Sequence, residues 1–372
     1  MKWLQNGNLA KMVAFFVIAT VITCTVSFAA NGWQSFTTDP DSDNIVTDNI
    51  YVSDNVDENK DGDSENQDIP VVAPQTKYYH YLTGLETTVD DYFKKPLCVL
   101  YSSRDPLYGL SYSYMTIEFP TEHGNTRLLA FTDDAESLGK IGSIAPSRGY
   151  ISNIVASLGG VLLSYGNDDV FEYDHRDTDG FLDFAATSGY CYTEYNTLVY
   201  TNGDLVTAFL QNTKTNSVST GKVIAPYQFN NVGVSTAPGN QKASNVVIHY
   251  SDTNSTEFFY SDTENKYMFS KNSGAKNDLL NDKPISYDNL FILYADSTTY
   301  ETSDSTQLIL DTLSGGKGAY ISNGTMISIT WAVDSSGNLI FSTVEGSKLT
   351  INRGTSYIAF AKSSGESSVK IS

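Results

Sequence analysis

Apolar and polar positions alternate most clearly between Met115 and Thr132. Met115, Ile117 and Phe119 alternate with Thr116 and Glu118, the period of a half-buried strand. Pro120 to Asn125 carries turn chemistry ending on Gly124-Asn125. Thr126 to Thr132 reads as the return strand, with Arg127 on the face of Leu129 and Phe131, at the rim of a packed surface. Ser147, after Pro146, is a candidate helix N-cap. Ile151, Ile154, Val155 and Leu158 then recur at helical spacing, and Gly159-Gly160 ends the helix. Arg148 falls in the first turn of that predicted helix, where a cation opposes the helix dipole. It reads either as a solvated surface residue or as a planar fork held for a carboxylate or phosphate.

The pattern changes along the chain. Pro96 to Tyr101 is a continuous apolar run, as in a central strand, and Gly160 to Tyr165 is a second buried strand. Asp204 is a candidate cap for a helix through Leu210. Residues 214–243 are rich in Ser, Thr, Gly, Pro and Asn and read as a connection. Beyond them come VVIHY, EFFYS, KYMFS, LFILYA, QLILD, AYIS, ISITWAV, LIFSTV, LTIN and SYIAFA, short strands broken by turn residues. Trp331, in ITW, is expected in their core. The expected fold is α+β: an α/β domain over 78–235, then an all-β sandwich- or barrel-like domain over 236–362, and a polar tail over 363–372.

The first 77 residues have another character. Lys2 and Lys11 precede an apolar run from Met12 to Val26, so residues 1–30 read as an export signal or anchor. Three fates are open: an uncleaved membrane anchor, cleavage near Ser27-Phe28-Ala29, or lipidation at Cys24. Residues 31–77 form a linker in which eleven acidic residues and one Lys lie between Asp39 and Asp68. Such a segment buries too little apolar surface to fold alone and extends by self-repulsion. Within it Asp57, Asn59, Asp61, Gly62 and Asp68 have calcium-loop spacing. Ser64 replaces the usual apolar residue and the flanks are not amphipathic helices, so an acidic spacer is the expected state. A net charge of −20 over 372 residues argues against nucleic acid and anionic lipid surfaces as partners.

Reactive chemistry is sparse in the pattern. Cys98 sits in an apolar run as a buried thiol would, and a disulfide to Cys191 is the alternative in an exported protein. Histidines 80, 123, 175 and 249 have no metal-ligand spacing, and no metal or cofactor is expected. His175 between Asp174 and Asp177 lies in an acidic stretch with no nucleophile motif to pair with it.

Several motifs resemble a known family. Gly109-Leu110-Ser111, Glu122-x-Gly-x-Thr126-Arg127, Ile141-Gly142-x-Ile144 and Arg148 stand in the first half. SGGKGAYISNG (Ser314 to Gly324), ITW (Ile329 to Trp331) and INRGTSYI (Ile351 to Ile358) stand in the second. From Lys95 to Ala361 the chain resembles the YerB-like bacterial lipoproteins, a domain of unknown function (3048) with N- and C-terminal parts. Ser102-Ser103 replace an Asp-Asn pair of the family pattern, and Ala145 replaces an Arg. Glu194-Tyr195-Asn196 keeps only the Asn of a Pro-His-Asn run, and Asn277-Asp278 keeps only the Asp of a His and Asp. The resemblance implies a cell-envelope role and no established chemistry.

The expectation is an extracytoplasmic protein, tethered by its N-terminal segment or secreted. It is read as a non-catalytic module binding a wall component or an envelope protein. Glu122, Arg127, Arg148, Asn196 and Asp278 are the candidate ligand-binding residues. The alternative is a peptidoglycan- or polysaccharide-modifying enzyme, a hydrolase or transferase, with an acid–base pair drawn from Glu118, Glu122 and Asp278. Sugar recognition by exposed tyrosines is a variant of the binding reading.

Overall fold

The computed structural model describes residues 77–104, 106–166, 181–183, 189–195, 197–212, 226–301, 306–335, 337–363 and 368–372. The leader, the acidic linker with its calcium-loop spacing, His175 with its flanking acids, and Asn196 lie outside the described residues.

The fold is α+β and dominated by strands. Those that matter below are β1 (Leu97–Ser102), β2 (Met115–Pro120), β3 (Thr126–Thr132) and β4 (Val161–Ser164) in the first half. The second half supplies β5 (Asn245–Ser251), β6 (Asn254–Ser261), β7 (Lys266–Lys271), β8 (Asn289–Ala295), β9 (Ser297–Glu301) and β10 (Thr306–Leu310). It continues with β11 (Gly316–Ser322), β12 (Thr325–Val333), β13 (Ser356–Lys362) and β14 (Ser368–Ile371). The described helices are short: α1 (Val89–Phe93), α2 (Gly149–Ser157) and α3 (Gly203–Asn212).

Both halves build one sheet of 11 strands, whose centre runs β12-β11-β8-β13-β2-β3-β1-β4. The seam is β13 against β2, parallel, with Ile358 opposite Ile117 and Ala359 opposite Glu118. The boundary drawn at 235/236 therefore does not interrupt the backbone ladder. A second, six-stranded sheet contains β7-β6-β5-β14 in that order. Val246, Ile248, Phe258 and Phe269 of this sheet pack in one core with Leu128, Ala130, Tyr357 and Ala359 of the large sheet. The opposite face of the large sheet packs with Ile151, Ile154 and Val155 of α2, and with Trp331 and Phe341.

This layering corrects one expectation directly. All six residues of β2 are buried, so the strand is covered on both faces rather than half-buried. The alternation is real, but its polar partners Thr116 and Glu118 face a second core instead of water.

Local ends differ too. The N-cap of α2 is Arg148, in extended conformation and outside the first turn, and not Ser147. The conflict between its charge and the helix dipole is thereby relieved. The cap of α3 is Asn202, whose Oδ1 accepts from Leu205 N at 2.9 Å; Asp204 lies in the first turn. Part of the expected polar tail is the strand β14, which pairs with β5. Trp331 is buried and donates from Nε1 to the Tyr294 carbonyl at 3.2 Å. Cys98 and Cys191 are thiols rather than a disulfide.

Candidate functional site

The turn Glu122–Gly124 between β2 and β3 forms one wall of a cleft. Gly124 has φ +70°, and a Cβ there would stand 2.5 Å from Ser251 Cβ and 2.9 Å from the Tyr250 carbonyl oxygen. A glycine is thus required for the turn to press against the β5–β6 connection. Asn254 Nδ2 fixes the contact by donating to the Gly124 carbonyl at 2.7 Å. On its other side the turn holds the β9–β10 hairpin, because Leu308 N donates to Glu122 Oε1 at 3.1 Å.

These contacts leave a cleft of about 840 Å³ between the turn, the hairpin and strands β5, β13 and β14. Glu122, His123, His249, Asp252, Lys362 and Lys370 contribute its polar wall, and Ile248, Leu308 and Ala361 its apolar wall. The volume lies within the range of small-ligand sites. Among the described residues neither Lys362 nor Lys370 has a carboxylate partner, and both are exposed.

The expected binding residues are distributed unequally. Glu122 and Arg148 meet as a two-pronged pair, Nε to Oε1 at 3.1 Å and Nη2 to Oε2 at 3.0 Å. Arg148 Nη1 also donates to the Ser147 carbonyl at 2.8 Å. The Arg148 and Glu122 side chains are only 13% and 15% exposed, so the fork is filled by the protein's own carboxylate. Burial alone would raise the Glu122 carboxyl, but the hydrogen bonds and charge of Arg148 hold it below its ordinary value. Arg127 is half-buried and reaches the Thr126 carbonyl at 3.4 Å.

Asp278 is fully buried at another place. It accepts from Gly109 N at 2.8 Å, from Ser111 N and Oγ at 2.7 Å each, and from Leu280 N at 2.9 Å. These partners are not part of the cleft wall. Asp278 ties the 107–113 loop to the second half of the chain, and the Gly-Leu-Ser motif supplies the donors.

Beneath the cleft lies a charged pair that the strand pattern only half revealed. Lys271 Nζ is 2.7 Å from Glu118 Oε1, and both residues are buried. Tyr357 donates to Glu118 Oε2 at 2.7 Å, and Thr256 donates to Oε1 at 2.9 Å. Burial raises the Glu118 carboxyl, but the Lys271 charge and the surrounding donors outweigh it and leave its pKa lowered. Tyr250 joins the two regions: it lines the cleft and its hydroxyl is buried beside Glu118. Burial first, and the Glu118 charge second, push that phenol well above its ordinary value.

Sequence reasoning missed His123, His249, Lys362 and Lys370 as a group. Their strands and turn come together only through sheet pairing. Lys370 in particular sat in a segment read as a tail.

Residues 246–358 match the family model for the C-terminal domain of DUF3048, a protein of unknown function. The fold is YerB-like. A crystal structure of the YerB protein from Bacillus subtilis has the same fold, with TM-score 0.67 and 20% identity. That likeness covers 79% of this chain and 100% of the other, and at this identity it speaks for the fold alone. No curated protein matches the chain. In this YerB-like fold the matched C-terminal segment carries Asp278, Lys271, His249 and the β9–β10 hairpin, whereas Glu122, Arg127 and Arg148 come from the preceding part.

Proposed function

We propose that this YerB-like chain is an extracytoplasmic binding module, tethered by its leader, that takes a carboxylate-bearing wall component or envelope protein in the cleft. The observation that carries this reading is the pair Lys362 and Lys370. They line a concave surface without carboxylate partners among the described residues, on a chain whose net charge is −20. Exposed cations on so acidic a protein attract anionic groups locally where the overall field repels them. His123 and His249 beside them add further potential hydrogen-bond donors. The ligand set is thereby moved from the Arg148 fork, which Glu122 fills, to the rim of the cleft.

The hydrolase or transferase alternative has less support. Glu118 is sealed with Lys271 and Asp278 is saturated by donors, so neither carboxylate meets solvent or substrate. Glu122, the third, is committed to Arg148 and Leu308.

The test is retention of the full-length protein by isolated wall sacculi, scored together with soluble fragments. The expected result is pelleting without fragment release, and a drop of about tenfold in affinity for Lys362→Ala/Lys370→Ala, which corresponds to the ~1.4 kcal/mol of a lost charge-assisted contact. Undiminished retention of the double variant would refute the cleft assignment. Released fragments would favour the enzyme.

A further inference from the structure

β14, which contributes Lys370 to the cleft wall, is the end strand of the six-stranded sheet among the described residues. Its hydrogen-bonding register follows from one closely bonded pair. Asn245 and Ser372 exchange both backbone bonds, N to O at 2.8 Å and 2.9 Å, and so form a closely bonded pair. In an antiparallel ladder such pairs alternate with unbonded ones. Val247↔Lys370 and His249↔Ser368 are therefore bonded pairs, while Val246↔Ile371 and Ile248↔Val369 are not. The backbone N–H and C=O groups of Val369 and Ile371 point away from β5, toward the side of β14 that no described strand pairs.

Side chains hold that edge in place. Val369 and Ile371 pack against the core shared by the two sheets. Lys370 projects to the other face and lines the cleft. Two outward pairs of donors and acceptors are thus presented at fixed spacing with a lysine between them.

We infer that β14 receives an added strand from an acidic polypeptide partner, whose carboxylates meet Lys370 and Lys362. This rests on the cleft being the binding site, and it names the partner class. Strand addition gives register through main-chain bonds and selectivity through alternate side chains. A second copy of this chain fits poorly, because pairing β14 with itself would bring two Lys370 side chains to one short edge. A strand carrying carboxylates at every second position places them on the Lys370 face and leaves its other face for the apolar wall. With only four residues in β14, the main chain contributes few bonds, and the side-chain contacts decide which partner stays.

The test uses the full-length protein and end-blocked six-residue peptides. One alternates Val with Glu, one alternates Val with Lys, and one is the Val/Glu peptide N-methylated at alternate residues. Glutarate serves as a carboxylate without a peptide backbone. Amide hydrogen exchange is followed residue by residue. The expected result is that the Val/Glu peptide slows exchange at Val369 and Ile371 by about tenfold or more, while Lys370, already bonded to β5, does not change. The Val/Lys and N-methylated peptides should give no slowing, and Lys370→Glu should reverse the charge preference. Binding of the Val/Glu peptide and of glutarate without slowing at Val369 and Ile371 would overturn strand addition and leave the cleft as an anion site. Absence of binding by all probes, with sacculi not retained either, would overturn both.

Discussion

Lys271 Nζ lies 2.7 Å from Glu118 Oε1 although 153 residues separate them, and neither side chain is more than 2% exposed. The pair fastens β2 of the large sheet to β7 of the six-stranded one. Two buried charges lose hydration, and their attraction offsets the loss only when every remaining polar atom is satisfied. Thr256 and Thr126 accept from Lys271 Nζ at 2.7 and 3.2 Å, which meets that condition. Lys271→Met leaves Glu118 buried and unpaired, and is expected to lower stability by about 3–5 kcal/mol. Glu118→Gln/Lys271→Met removes both charges and should recover most of the loss. Urea unfolding of the four members of this cycle measures it; a double variant as unstable as the Lys271 single would contradict the account.

Acid should unfold the protein through Glu118 and Glu122. Both carboxyls have lowered pKa values in the folded chain. A depressed folded value means that the contribution is complete above the unfolded pKa of about 4.3 and is lost as pH falls through the folded value. Stability attributable to these groups should be level near neutrality and decline below about pH 4. Glu122→Gln should start less stable at pH 7 and show a shallower acid decline, as measured by unfolding free energy between pH 7 and pH 3.

Asp278 is expected to act on the 107–113 loop and not on ligand. Asp278→Asn places an amide among three backbone N–H donors, which should cost about 1–3 kcal/mol and speed amide exchange at Gly109 and Ser111. Cleft affinity should hold. A selective loss of binding with unchanged loop exchange would return Asp278 to the ligand set.

Arg148 and the two rim lysines should separate structure from binding. Arg148→Ala strips two charge-assisted bonds from half-buried Glu122, at about 1.5–3 kcal/mol, and should loosen the hairpin that Glu122 holds through Leu308 N. Faster exchange at the Leu308 amide reports this. Lys362→Ala and Lys370→Ala remove exposed charges and should change stability by under about 0.5 kcal/mol while weakening anion binding. The opposite assignment, with Arg148→Ala stable and the lysine variants unfolded, would refute this division.

Much of the local structure was readable from residue order. The β2–turn–β3 unit, the apolar run of β1, the helix presenting Ile151, Ile154 and Val155, and the ten short strands read from VVIHY to SYIAFA all follow from periodicity and turn residues, whereas β9 and β14 do not. Those signals are local: a side chain's direction repeats every 2 or 3.6 residues whatever lies opposite it. The YerB-like motifs were readable for the same reason, as short strings.

Tertiary structure decided the rest. Whether Glu118 faces water or a second core depends on what covers β2, and the cover comes from β6 and β7, far along the chain. Glu122 and Arg148 stand out in the sequence, yet only their mutual contact shows that the fork is filled. β13 finds β2, and β14 finds β5, through backbone hydrogen bonds that carry almost no sequence signature. The cleft is a product of those pairings: His123, His249, Lys362 and Lys370 become neighbours because sheet registry places them so, and registry is set by the sum of many weak contacts spread over the whole chain.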